Sequence, residues 1–202
     1  MGGTAGHAQA TSQAPQNLAP PDGGAVRVRP VAAGDPDRLR RMLSRLSPET
    51  VYMRLHTPRV PEWAPGYLGD ADNRGGYSLV AVVGEEILGH AMYARPERGE
   101  AEVAVLVEDG WQARGIGRLL LQEIAEEARR RGVEVFTCTA LGENRRVHGL
   151  ANAVFAEIAH EVKDGMRSVR APLRALRPKS GRKVVGRRRT AHGETGKQDD
   201  HA

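Results

Sequence analysis

The chain has 202 residues, 40% of them hydrophobic, a single cysteine and a formal net charge of +5. Its length allows one domain with a core and tails. It offers no apolar run of about 18 residues to span a membrane, no second cysteine for an internal disulfide and no basic-then-apolar leader, a combination expected of a cytoplasmic protein.

Residues 1–25 are Gly, Ala, Gln, Ser, Thr and Pro with few aliphatics, too little to repay ordering, and are expected to form a disordered N-terminal segment. Val26 to Val31 alternates and predicts a strand. Asp35-Pro36 starts a helix, with Asp35 as cap, Pro36 at the first helical position and a stripe of Leu39, Met42, Leu43 and Leu46. Ser47-Pro48-Glu49 repeats that start for a short helix through Leu55. Residues 56–76, interrupted by Pro58, Pro61, Pro65 and Gly66, read as a long irregular loop. Tyr77–Val83 and Glu86–Tyr93 predict strands about a Gly84-Glu85 turn, and Ala101–Val107 predicts the next.

The stretch from Val103 to Leu121 carries the chemistry. Five apolar, mostly β-branched residues are followed by the turn residues Glu108-Asp109-Gly110. Helical spacing then begins at Ile116, with Leu120, Ile124 and Ala128 on one face. Between strand and helix lies Gln112-Ala113-Arg114-Gly115-Ile116-Gly117. A helix N-terminus offers unpaired N–H groups and a partial positive charge, so it binds phosphate where nothing blocks the approach. Gly115 and Gly117 remove the obstructing side chains, and Arg114 adds a cation. The spacing is not that of a P-loop, and Leu120 stands where a dinucleotide-binding turn needs a small residue. The helix should end at Arg129-Arg130-Arg131-Gly132. Val133–Thr139 predicts a strand parallel to Ala101–Val107, Asn144 to Phe155 a helix, and 156–162 with 166–173 a hairpin about Lys163-Asp164-Gly165.

Gln-x-x-Gly-x-Gly, after a strand that opens on Ala101-Glu102-Val103, resembles the coenzyme A signature of the GNAT acetyltransferase superfamily. The order of elements resembles it too, over roughly residues 26–173. The segment Leu46–Arg54 with Glu143-Asn144-Arg145 is most similar to the GNAT domain of bacterial Pat-type protein lysine acetyltransferases. The resemblance implies an α/β (α+β) domain over 26–174, whose central mixed, mostly antiparallel sheet is flanked by helices on both faces. It implies acetyl-CoA as co-substrate, held by Leu106, Val107, Gln112, Ala113, Arg114, Gly115, Ile116, Gly117, Arg118 and Asn144. It also implies a splayed or bulged key strand that turns a backbone N–H near Leu106 toward the thioester.

Glu102 is the candidate general base. It is polar within an apolar strand, shares a face with Ala104 and Leu106, and would have its pKa raised by apolar surroundings. Asn144 doubles as a helix cap. The family's tyrosine near the sulfur, about seven residues after this asparagine, falls on Ala151, so no general acid is assigned. His56, His90 and His148 lack metal-ligand spacing, so no metal is expected, and Cys138 reads as packing. The acceptor is a primary amine, a protein lysine on the Pat-type resemblance, or else a small-molecule amine; a non-catalytic acyl-CoA sensor is the competing class. Residues 174–189 hold eight Lys or Arg and no acid, leaving −3 for the rest of the +5 chain. The tail 175–202 is expected to be disordered and basic, with at most weak, nonspecific nucleic-acid contacts.

Overall fold

The computed structural model describes residues 25–72, 75–94, 98–142 and 144–178. Most of the expected N-terminal segment and all of the tail beyond Pro178 lie outside the described residues. Strands β1 (Arg27–Pro30), β2 (Tyr77–Val83), β3 (Glu86–Ala94), β4 (Glu100–Val107), β5 (Val135–Leu141), β6 (Ala159–Lys163) and β7 (Met166–Pro172) form one sheet in the order β1-β2-β3-β4-β5-β7-β6. Every neighbouring pair is antiparallel except β4 with β5. The helices are α1 (Pro36–Ser44), α2 (Pro48–Leu55), α3 (Ala64–Gly69), α4 (Ile116–Arg130) and α5 (Arg145–Val154). Among the described residues no helix is long and apolar enough to cross a membrane.

The sheet is covered on both faces, and the alternation along β2 shows how. Leu79 and Ala81 join Leu120, Ile124 and Ala128 of α4 in one core, while Val80 and Val82 join Leu39, Met42 and Leu43 of α1 and Leu68 of α3 in the other. A strand buried on both sides reads as an unbroken apolar run, as this one does. The mixed, mostly antiparallel sheet with helices on both faces is the architecture expected.

Several local expectations need correction. Asp35 does not cap α1 with its side chain. The carboxylate turns back, wholly buried, to accept two hydrogen bonds from Arg29 at 2.6 and 2.8 Å and one from Ala32 N–H at 2.8 Å. Within the loop expected over 56–76, Ala64–Gly69 is helical. Pro65 sits in its first turn, where a missing N–H costs no hydrogen bond, and Ala64 and Leu68 are wholly buried beneath it. Strand β5 begins two residues later than expected because Val133 ends α4 instead. With Gly132 left-handed (φ 77°), Val133 N–H bonds Ala128 C=O and Gly132 N–H bonds Arg129 C=O, a Schellman motif. The ordered chain also passes the boundary expected at Arg174: Ala175 is buried, Ala156 N–H bonds its carbonyl, and Arg177 Nε donates to Phe155 C=O at 3.0 Å.

The Arg29–Asp35 pair fastens β1 to the start of α1. Hydrogen bonding from Arg29 holds the Asp35 carboxyl below the usual aspartate range, against the opposing effect of burial. Its stabilisation is therefore complete above the unfolded-state value of about 3.9 and is lost as pH falls through the lower folded-state value. Asp35→Asn is expected to lower unfolding free energy at pH 7 by about 3 kcal/mol and to flatten the loss of stability below about pH 4. Urea melts from pH 7 to 2 check both; equal slopes in mutant and wild type would count against it.

Candidate active site

The site begins where β4 and β5 part. They pair only at Glu100↔Val135, Ala101↔Phe136 and Glu102↔Thr137. Beyond that point β4 follows β3 while β5 follows β7. The strand is splayed, and its register with β3 runs without a shift from Glu102 to Val107, so it carries no bulge against that neighbour.

The register also decides which backbone groups face the gap. Glu108 N–H donates to Leu88 C=O at 2.9 Å. Counting back by twos, Leu106, Ala104 and Glu102 direct their N–H and C=O groups at β3; the Val103 N–H completes the pairing with Thr137 of β5, and Val107, Val105 and the Val103 C=O face the opening. The N–H expected near Leu106 therefore belongs to a residue on either side of it. The side chains follow the period-two expectation: Leu106 and Ala104 lie on the α1–α3 face, and so does Glu102.

A cavity of about 880 Å³ occupies the opening. Gln112, Ala113, Gly115, Gly117 and Arg118 line one end; Glu102, Arg54 and Cys138 line the other, with α2 and the start of α5 at the sides. From Val107 to Glu102 the strand covers about 17 Å. Of the residues expected to hold the cofactor, Leu106, Val107, Gln112, Ala113, Gly115, Gly117, Arg118 and Asn144 line this cavity with Glu102. Ile116 is buried in the α4 core, and the Arg114 guanidinium lies 5.0 Å from the Trp111 ring centroid; neither lines it. Its basic lining residues near the cradle are Arg118, Arg145 and Arg146.

The two glycines differ in purpose. Gly115 is left-handed (φ 85°) as the N-cap of α4, so its constraint is the backbone. At Gly117 an added Cβ would meet Val107 and Leu150 only at ordinary contact, 3.7 Å and beyond. The fold tolerates a side chain there, and it is the cavity that loses room.

Gln112 braces the opening. Its Nε2 donates to Val107 C=O at 3.0 Å and to Thr50 Oγ1 at 3.3 Å, and its Oε1 accepts from Arg146 at 2.7 Å. Asp109 supports the same corner by accepting from Ser47 N–H (2.9 Å), Ser47 Oγ (2.7 Å) and Thr50 Oγ1 (2.7 Å). Burial works to raise the Asp109 pKa, and the bonds from Ser47 and Thr50 overcome it, leaving it lowered. Asn144 caps α5 through Val147 N–H at 3.4 Å, as expected.

At the other end Glu102 is exposed on the cavity wall; the apolar enclosure expected of it is not found. Its surroundings are electrostatic. Arg54 of α2, half-buried, interacts with Tyr67, Cys138 and Glu102, and its Nε has no hydrogen-bond partner. His90 lies beneath, wholly buried. Burial, then repulsion from Arg54, pushes its pKa down to about 3. The neutral ring places Nε2 3.0 Å from Leu68 C=O, an acceptor only, so Nε2 carries the proton and Nδ1 keeps the lone pair. Burial, then the Glu102 charge, raises the Cys138 thiol to about 11, so it is protonated at neutral pH. Sequence reasoning missed Arg54 because an arginine in an amphipathic helix reads as surface. It also passed over His56, which lines the cavity. No group of His, Cys, Asp and Glu suited to a metal occurs among the described residues.

Comparisons with known proteins place the chain in a family. The sequence model of the Acetyltransferase (GNAT) family matches residues 39–155. Acetyltransferase PA5475 of Pseudomonas aeruginosa is 30% identical over 141 residues, covering 66% of this chain and 75% of that protein. Acetyltransferase Pat of Mycolicibacterium smegmatis is 32% identical over 122 residues, 58% of this chain but only 37% of that longer protein. The crystal structure of the GNAT domain of S. lividans PAT superposes with a TM-score of 0.67 at 30% identity, covering 75% of this chain and 92% of that one.

The division between the glycines is open to test with CoA, the ligand implied by the sequence motif. Gly117→Val is expected to weaken CoA binding by more than about fivefold, the equivalent of one lost hydrogen bond, with little change in thermal midpoint. Gly115→Ala should instead cost about 1–2 kcal/mol of stability. Calorimetry paired with thermal melts reads both; an unchanged CoA affinity in Gly117→Val would remove the cradle.

Proposed function

This chain belongs to the acetyltransferase (GNAT) family, and from that premise we propose that it transfers acetyl from acetyl-CoA to a primary amine, a protein lysine in the first instance, with Glu102 as general base. The observation that carries this is the continuous cavity along the unpaired edge of β4, with a phosphate cradle at one end and a carboxylate at the other. The likeness to the S. lividans GNAT domain and the Pat-like sequence over α2 support lysine as the acceptor.

In this reading the α4 N-terminus, with Arg118, Arg145 and Arg146 nearby, binds the pyrophosphate. The gap-facing Val107 N–H, Val105 N–H and C=O and Val103 C=O bond the amides of the pantetheine arm, as a neighbouring strand would. An ammonium with an ordinary pKa near 10.4 gives its proton to Glu102, directly or through water. The freed nitrogen attacks the thioester carbonyl, and the tetrahedral oxyanion meets a gap-facing N–H of β4 and the Arg54 cation. The C–N bond forms, the adduct's ammonium gives up its second proton to solvent, the C–S bond breaks, and CoA leaves as a thiolate. With a thiol pKa near 8.5 it needs no acid, which suits Ala151 in place of a tyrosine; the thiolate takes its proton from solvent, to which Glu102 returns the one it accepted.

His56 gives a second reading of the base, because it lines the same cavity and is exposed. Glu102→Gln is expected to lower kcat by roughly 10²–10⁴ while leaving acetyl-CoA affinity near wild type. The deficit should shrink as pH rises toward the pKa of the amine, when solvent supplies the free base. His56→Gln should keep normal turnover. Rate profiles from pH 6 to 10 on a lysine peptide decide it: a normal Glu102→Gln enzyme, or the deficit appearing in His56→Gln instead, would take Glu102 out of the mechanism.

A further inference from the structure

A second cavity, of about 70 Å³, lies behind the splay on the side of α4 and α5. Leu121, Phe136, Leu150, Ala151, Val169 and Cys138 are among the side chains that form it. It shares Val103, Val105, Cys138, Val147 and Leu150 with the main cavity, so the two adjoin across these side chains where β4 and β5 part. Ala151 stands in its wall, nearly buried, at the position where the resemblance implies a tyrosine beside the sulfur. A phenol there would occupy the space that the alanine leaves.

We propose that this cavity is an acyl subsite and that the protein accepts thioesters with short chains longer than acetyl, namely propionyl- and butyryl-CoA. The inference rests on the reading of the main cavity as a CoA-ester site. Its chemistry is that of an alkyl pocket. Apart from Thr137 and Cys138 its lining side chains are apolar, so water inside finds few hydrogen-bond partners and is readily displaced by methylenes. The Cys138 thiol at its junction is held protonated by burial, so it forms part of the wall and does not itself take up the acyl group. The size sets the limit. A cavity of roughly 150 Å³ admits benzene, so half that volume admits two or three methylene-sized groups and excludes a long chain.

Calorimetry of the full chain with CoA and with acetyl-, propionyl-, butyryl- and octanoyl-CoA tests the subsite without any acceptor. Each methylene that enters should tighten binding by up to about fourfold, with the optimum at propionyl or butyryl and a loss at octanoyl. Ala151→Leu, which fills the cavity from α5, should lower the ratio of butyryl-CoA to acetyl-CoA affinity by at least tenfold. Val169→Leu fills it from β7 and should move the same ratio, so a folding defect in either variant leaves the other to decide. Affinity that falls steadily from acetyl-CoA onward in the wild type, or a ratio unmoved in the variants, would make the cavity a packing defect only and overturn the proposal. Failure of CoA itself to bind would overturn the proposed function, and the subsite with it.

Discussion

The parting of β4 from β5 after one short run of pairing is the constraint on which the rest of the structure depends. Each strand is committed to its other neighbour, β4 to β3 from Glu102 to Val107 and β5 to β7 over its whole length. To close the gap each would have to move together with the ladder to which it belongs. Buried N–H and C=O groups without partners cost about 1–3 kcal/mol each, so an unpaired edge in the middle of a sheet has to be satisfied or solvated. One end is satisfied, since Gln112 bonds the Val107 carbonyl. The remainder opens on a cavity large enough for solvent or a ligand. The sheet thus keeps a strand-shaped set of hydrogen-bonding groups at its centre, flanked by helices that hold it open.

Those helices are held by charge and hydrogen bonds as well as by apolar contact. Asp109 fixes the first turn of α2 through Ser47 and Thr50, and Gln112 links Thr50 to Arg146 on α5. Arg45, at the end of α1, adds bonds to Glu108 at 2.9 and 3.0 Å and to Glu86 at 3.0 Å. The loop between β4 and α4 is therefore a junction as well as a turn.

Much of this was legible in the sequence, and what was not has physical causes. The periodic stripe starting at Ile116 located α4, and the apolar run of β2 with the Lys163-Asp164-Gly165 turn located the sheet and its hairpin, because side-chain periodicity and positive-φ turns are local properties. That Gly115 and Gly117 open α4 and that Glu102 lies on β4 was legible from the same strand-then-helix pattern. Hydrogen-bond parity along β4 was not, since it depends on the register with β3 and not on which side chains alternate. Asp35 looked like a cap because its neighbours are those of a cap; its partner Arg29 lies on a different element. Arg54 and His90 were unremarkable separately and acquire meaning only when α2 and α3 close over β3.

That last cluster shows where stability and chemistry part company. Among the described residues four buried side-chain atoms lack a hydrogen-bond partner, and two of them are Arg54 Nε and His90 Nδ1. Real proteins break local rules of polar satisfaction chiefly at functional sites. Here the breach sits at the Glu102 end of the cavity. A neutral imidazole anchored on Leu68 offers Arg54 a dipole without a competing negative charge, so the cation is not neutralised from below. The unpaired Nδ1 is a stability cost, but with no anion beneath it the field of the guanidinium is directed at whatever carries negative charge in the cavity. Under the proposed transfer, that is first the Glu102 carboxylate and then the oxygen of the tetrahedral adduct, two charges that arise in turn and that a fixed, weakly solvated cation favours without moving.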